Sequence, residues 1–259
     1  MLLREFSFMP HKTPTRSEDY VDYVAKFALS ENWGLNNTHL ERYIDYNFEL
    51  AYVQGLVHEA TDKSFALWRV GNLVTRDNEP ISILCTRNRQ EGKQPYYFTR
   101  VFNTRRIEVV MDGTRTIVPV PASPMYAVPD YQSSYDLTYN FDHYLIDNRE
   151  RAEVALANLT ENQRFLCIYA AALLAHKRSG LSAVPQWYRD RNADQGSYQW
   201  LLPLHINSGN IDQKPDLVAT LVPADTHGEY AMKTLLLPEW AYPHARAISS
   251  RDPQFRAWA

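Results

Sequence analysis

The sequence predicts an α+β fold, and three observations carry that reading. Two helical patterns open the chain and give way to short strand-like runs, among them an Asp-Gly hairpin signal. A long apolar helix near the middle is then followed by a second set of strands and a final helix. Helices and strands do not alternate as βαβ units require, so mixed or antiparallel sheets are expected.

Ser17-Glu18-Asp19 is a helix-start signal, and Val21, Val24, Ala25 and Ala28 follow at helical spacing towards Leu29. Asn37-Thr38 is expected to cap a stronger helix. Its apolar face is Leu40, Tyr43, Ile44, Phe48, Ala51, Tyr52 and Val53, ending near Leu56. From Ser64 the pattern shortens to strand-like runs. These are Phe65 to Trp68, Leu73-Val74 after Gly71-Asn72, Ile81 to Cys85 behind Pro80, and Tyr96 to Phe98. Ile107 to Met111 and Thr114 to Val120 flank Asp112-Gly113. Both turn residues tolerate positive φ, so this is a tight hairpin.

Pro119, Pro121, Pro124 and Pro129 mark a connecting stretch around 120–129. A single domain is expected, with lobes 1–120 and 130–259 on either side of it. Thr160 to Gln163 opens an apolar helix running to Lys177, expected to be the central buried helix of the second lobe. Strands are expected at Ala183–Tyr188, Tyr198–His205, Leu217–Val222 and Ala231–Leu237. Pro238 then starts the last helix, to Ile248.

Hydrophobic residues make up 45% of the chain and charged residues 22%, enough for a sizeable core. Net charge is −3, so no global field draws the protein to polyanions, and any nucleic-acid role must rest on a local patch. The 17 Tyr and 6 Trp suit either a recognition surface or the polar rim of a core. Cys85 and Cys167 stand far apart in apolar segments, as expected of reduced thiols in a cytoplasmic protein. The start, Met1-Leu2-Leu3-Arg4-Glu5, has no apolar run of the signal-peptide kind. The apolar run Ile168 to Ala175 is too short to span a bilayer, so no membrane partner is expected.

The eight histidines are scattered singly and there is no C-x-x-C, so neither a metal site nor a cofactor is expected. The nine glycines form neither phosphate-cradling motif, and no G-x-S-x-G elbow occurs. Nucleotidyl-transferases place a nucleophilic lysine two residues before an Asp-Gly pair, and here that position is Val110.

Two constellations remain. Asp142, His143, Asp147, Asn148 and Arg151 could serve acid-base work on a phosphodiester, or could form a loop and helix cap. Lys177-Arg178, Pro185-Gln186-Trp187-Tyr188-Arg189 and Gln199-Trp200 combine cations with aromatics. The cations could neutralise phosphate while Trp187 or Tyr188 stacks on a base. Alternatively, they complement a helix C-terminus and the aromatics are core.

At Ala183-Val184-Pro185-Gln186-Trp187-Tyr188 the chain resembles the DUF3825 family, a domain of unknown function. Further blocks follow that family's order: Glu31-Asn32-Trp33, Gly71 to Thr75 with Glu79-Pro80-Ile81, His143 to Arg151, Leu201 to Leu204, Asp216 to Val218, and Leu235 to Ile248. The resemblance spans roughly residues 18–250. It departs at Gly180-Leu181-Ser182, where relatives tend to carry an Asn-Tyr-Lys-like triplet, and at Pro243-His244, where they tend to carry Asn. A task of that lysine would be absent here or moved to Lys177 or Arg178. The family keeps company with RNA-processing and RNA-binding modules, so the resemblance implies RNA or nucleotide recognition.

The expectation is a nucleic-acid or nucleotide-binding domain in RNA metabolism or cellular defence. Lys177, Arg178, Arg189 and Arg246 would meet phosphate, Gln186 would read a base edge, and Trp187 and Tyr188 would stack. One alternative is a phosphodiester or nucleotide hydrolase with His143 as acid or base, Asp142 or Asp147 orienting it, and Arg151 on phosphate. The other is a protein-interaction module with a protein partner on exposed aromatics. The site is expected in the second lobe.

Overall fold

The computed structural model describes residues 1–11, 19–111, 113–125, 128–139, 148–178, 183–188, 196–224, 228–248 and 258. The chain forms two compact units, Met1–Met125 and Tyr126–Ala259.

The first unit begins with α1 (Leu3–Phe6), β1 (Ser7–Phe8) and α2 (Tyr20–Phe27). Asp19 caps α2 by accepting from the Asp22 N–H, which directs Tyr20, Val21 and Val24 inward. A short 3-10 turn, Leu35–Asn37, leads into α3 (Thr38–Val53). Asn37 precedes α3 but does not cap it with its side chain. It stands at φ 58, and its amide donates to the Asp22 carboxylate at 3.0 Å, tying the start of α3 to α2. Along α3, Leu40, Tyr43, Ile44, Asn47, Phe48 and Ala51 are buried, the spacing of one helix face.

Strands β2 (His58–Glu59), β3 (Phe65–Val74), β4 (Pro80–Arg87) and β5 (Tyr96–Phe102) complete a five-stranded sheet. Its order is β1-β5-β4-β3-β2. Only the β1–β5 pair is parallel. The two short runs expected around Gly71 are one strand with a register irregularity between Arg69 and Val74. Gly71 has φ 51, and α3 lies against it. The Tyr43 hydroxyl donates to Asn72 Oδ1 at 2.8 Å and accepts from the Asn72 N–H at 3.1 Å.

One face of the sheet packs on α3, with Phe48 edge-on to Trp68 at 5.1 Å. The other carries Phe65, Leu67 and Leu84 against Ile107, Val109 and Val118 of the hairpin β6 (Arg106–Met111) and β7 (Thr114–Pro119). Met111 pairs with Thr114 across the expected turn, in which Gly113 has φ 79. Asp112 lies outside the described residues.

The second unit contains β8 (Asp136–Tyr139), α4 (Arg149–Ala155), α5 (Glu161–Lys177), β9 (Val184–Tyr188), β10 (Ser197–Leu204), β11 (Leu217–Pro223), β12 (Glu229–Leu236) and α6 (Pro238–Ile248). The sheet order is β8-β12-β11-β10-β9, with β8 parallel to β12 and the rest antiparallel. Thr160 and Gln163 form a capping box that starts α5. Ile168, Ala172 and His176, four residues apart, turn inward from α5, while Leu166 and Leu174 face out. Trp200, Leu202, Leu204, Ala219, Leu221 and Met232 join that inner row in one core. Helix α6 packs against β9 and β11. Among the described residues no helix is long and apolar enough to cross a membrane. Helices and two larger sheets thus occur together without βαβ alternation, an α+β fold.

Candidate functional site

In the second unit the fold distributes the sequence-nominated residues over three places. Gln186 faces α6 from β9 and is 1% exposed. Its amide donates to Gln199 Oε1 at 3.0 Å across the β9–β10 pair, and its own Oε1 has no hydrogen-bond partner among the described residues. Tyr188, two residues on, keeps the same face and is 37% exposed, its ring 6.3 Å from that of His244 on α6. Arg246 is also on α6 and is buried. Trp187 points to the opposite face, edge-on to Tyr198 at 5.0 Å. Gly196 makes room for it, because a Cβ there would come 2.5 Å from the indole.

Lys177 and Arg178 stand instead at the C-terminus of α5. Lys177 donates to the carbonyls of Ser133 and Tyr135 at 3.4 and 3.2 Å, so it fastens the segment before β8. Beside it His176 is fully buried, with Nε2 2.7 Å from the Tyr135 carbonyl and Nδ1 against the Tyr131 hydroxyl. A carbonyl only accepts, so Nε2 carries the proton and Nδ1 accepts from Tyr131.

Arg151 occupies the third place. One guanidinium nitrogen donates to Asn148 Oδ1 at 2.8 Å, Thr234 Oγ1 at 3.0 Å and the Leu235 carbonyl at 2.6 Å. The guanidinium lies 5.1 Å from the Trp240 ring centre, so it joins α4, β12 and the start of α6. His143, Asp147 and Arg189 lie outside the described residues.

A different constellation forms in the first unit. Pairing of β1 with β5 sets Phe8 opposite Tyr97, and pairing of β5 with β4 sets Tyr97 opposite Thr86. These residues share the outward face of the sheet, because register partners point the same way. The β6–β7 hairpin covers the middle of that face. It leaves the β1–β5 end open as a hollow of about 2100 Å³. Phe8 is 50% exposed and Tyr97 43%, and both line the hollow with Thr86, Thr99 and Met111. The two threonine hydroxyls are bonded to each other at 2.7 Å.

Arg4 from α1 and Arg87, Arg89 and Lys93 from the end of β4 and the connection to β5 complete the lining. All four are exposed, and none forms a salt bridge among the described residues. Three carboxylates are also present: Glu5, Asp62 and Glu91. Two of these are engaged locally. Glu5 accepts from the Leu2 N–H at 2.9 Å, and Asp62 accepts from the Ser64 N–H and hydroxyl at 3.0 and 2.6 Å. Those bonds hold the Asp62 carboxyl below the usual range, with Arg87 nearby adding to the effect. The hollow therefore offers open aromatic faces beside four cations that form no salt bridge among the described residues, an excess of one over its three carboxylates, although the whole chain is acidic.

No group of three or more His, Cys, Asp or Glu among the described residues is placed to hold a metal ion. A family profile described as a domain of unknown function (DUF3825) matches residues 24–255. No curated protein and no solved structure matches the chain.

Proposed function

We propose that this chain, which belongs to the DUF3825 family of domains of unknown function, is a nucleic-acid-binding domain acting in RNA metabolism. The supporting observation is the hollow of the first unit, where Phe8 and Tyr97 lie open beside Arg4, Arg87, Arg89 and Lys93. Cations at a rim attract phosphates, and exposed aromatic faces on a sheet give bases a surface to stack on. Either alone is ordinary on a protein surface. Their coincidence in one concave face matches the two chemistries of a nucleotide chain. The second unit supports the reading less directly, because Gln186 and Arg246 are buried beside α6 and only Tyr188 of that group is open.

Binding of a fluorescently labelled RNA oligonucleotide, followed by anisotropy at two salt concentrations, tests the proposal. Four cations meeting four phosphates give a slope of about −3 in log K against log salt for a single strand. Raising salt fourfold then weakens binding roughly 50-fold. Absence of binding, or binding indifferent to salt, overturns it.

A further inference from the structure

Resting on that nucleic-acid reading, we infer that the ligand of this hollow is a single strand, with two unpaired bases laid on Phe8 and Tyr97. The two side chains are register partners in parallel neighbouring strands, about 4.8 Å apart at the backbone. Alternation sends their chain neighbours the other way. Ser7 and Tyr96, also register partners, are buried, and Tyr96 meets Phe6 at a ring distance of 4.8 Å. The inward ring is thus used by the core. The outward pair is not: neither Phe8 nor Tyr97 meets another aromatic ring among the described residues.

A duplex cannot use such a floor. Its bases already stack on one another, and it presents only phosphates and base edges, so it would touch the rim cations and leave both rings bare. A strand with unpaired bases satisfies both parts of the site. Arg4 precedes β1, and Arg87, Arg89 and Lys93 lie at the β4–β5 connection, so phosphate contacts come from two separate chain segments around the ring pair. The two ring faces are themselves sequence-tolerant, so stacking on them is not expected to select one base over another.

The test uses the full chain, single-stranded RNA and DNA of one sequence, the blunt duplex of that sequence, and polyglutamate. A 2-aminopurine in the single strand reports stacking through loss of its fluorescence. The expected result is that either single strand binds at least tenfold more tightly than the duplex or polyglutamate, with 2-aminopurine quenched. Phe8→Ala and Tyr97→Ala each weaken single-strand binding about tenfold or more and reduce quenching, and the double variant removes it, leaving duplex binding unchanged. Arg89→Gln with Lys93→Gln weakens single strand and duplex alike. Both rings are about half exposed, so the alanine variants are expected to keep the parent's unfolding midpoint, which is checked in parallel.

Equal binding of duplex or polyglutamate, or alanine variants that leave single-strand binding intact, overturns the single-strand inference. In the duplex case nucleic-acid binding through charge still stands. If no nucleic acid binds at all, the proposed function falls with it.

Discussion

Replacing Gly71 by Ala tests the account of how α3 sits on β3. Gly71 stands at φ 51, and an added Cβ would fall on the Asn47 amide and 2.7 Å from the Tyr43 hydroxyl. Both neighbours are fully buried, and Tyr43 holds Asn72 through two hydrogen bonds, so neither moves aside freely. The left-handed backbone costs about 1–2 kcal/mol with a Cβ present. Forcing extra volume into a packed contact costs about 1–3 kcal/mol more. The expected loss is therefore roughly 2–5 kcal/mol. Gly113→Ala supplies the control, because Gly113 has φ 79 with nothing within 4 Å of its Cβ position. It carries only the backbone cost, about 1–2 kcal/mol. Urea unfolding followed by tryptophan fluorescence measures both, since Trp33 and Trp68 report on the first unit. Asn47→Ala in the Gly71→Ala background is expected to recover part of the loss, a coupling of the two sites. Equal destabilisation by the two glycine substitutions, or strict additivity with Asn47→Ala, would refute the close-approach argument.

Burial holds the His176 imidazole below its ordinary pKa, only partly offset by the Tyr135 carbonyl. The unfolded histidine takes up its proton near pH 6.5, so below that pH the unfolded state binds more protons and stability falls. Unfolding free energies taken between about pH 7.5 and 5.5 should decline by at most about 1.4 kcal/mol per unit for this group. His176→Gln should flatten that slope, and an unchanged slope would show that another group sets it. Thr160→Ala removes the cap of α5 and should cost about 0.5–2 kcal/mol in urea unfolding, with Thr160→Ser recovering most of it. Cys85 is fully buried and its thiol is pushed up to about 12, whereas Cys167 is half-buried. A thiol reagent should therefore modify Cys167 first in the native protein and reach Cys85 only as the first unit unfolds.

Elements with a strong local signal were legible in the sequence. The capping pair Thr160 and Gln163, the face from Leu40 to Ala51 and the turn at Gly113 each specify their element without help from distant residues. Elements that form only by pairing left no such trace. β1 is two residues long and exists because Ser7 and Phe8 find Tyr96 and Tyr97. Gly71 reads locally as a break between two strands. It is instead the point where one strand bends under α3, and the residues that make the bend necessary, Tyr43 and Asn47, lie on that helix.

The same distinction applies to the sites. The tract around Gln186 is continuous in sequence, and a run of amide, aromatic and cationic side chains resembles a surface. Strand alternation and α6 give it a different character, turning Gln186 into the interior and Trp187 towards Tyr198 on the other face. The hollow of the first unit has the opposite history. Phe8 sits in a segment too short to show a period, and Tyr97 in a run of three aromatics that reads simply as strand. Only the parallel β1–β5 pairing makes them neighbours. Arg87, Arg89 and Lys93 are interleaved with Glu91, so the segment shows no basic run, and the net charge of −3 hides it further. Net charge describes the field at a distance greater than a screening length, about 8–10 Å in ordinary salt. Within one concave face the sign is set by the charged groups that line it, here four cations against three carboxylates. Glu5 and Asp62 stay ionised, each bonded to a nearby backbone N–H, and the four cations form no salt bridge among the described residues. An acidic protein can therefore carry a local excess of cations, which the proposed binding of a polyanion requires. The steep salt dependence expected of such a site, with no long-range attraction behind it, distinguishes it from a basic protein's general affinity for nucleic acid.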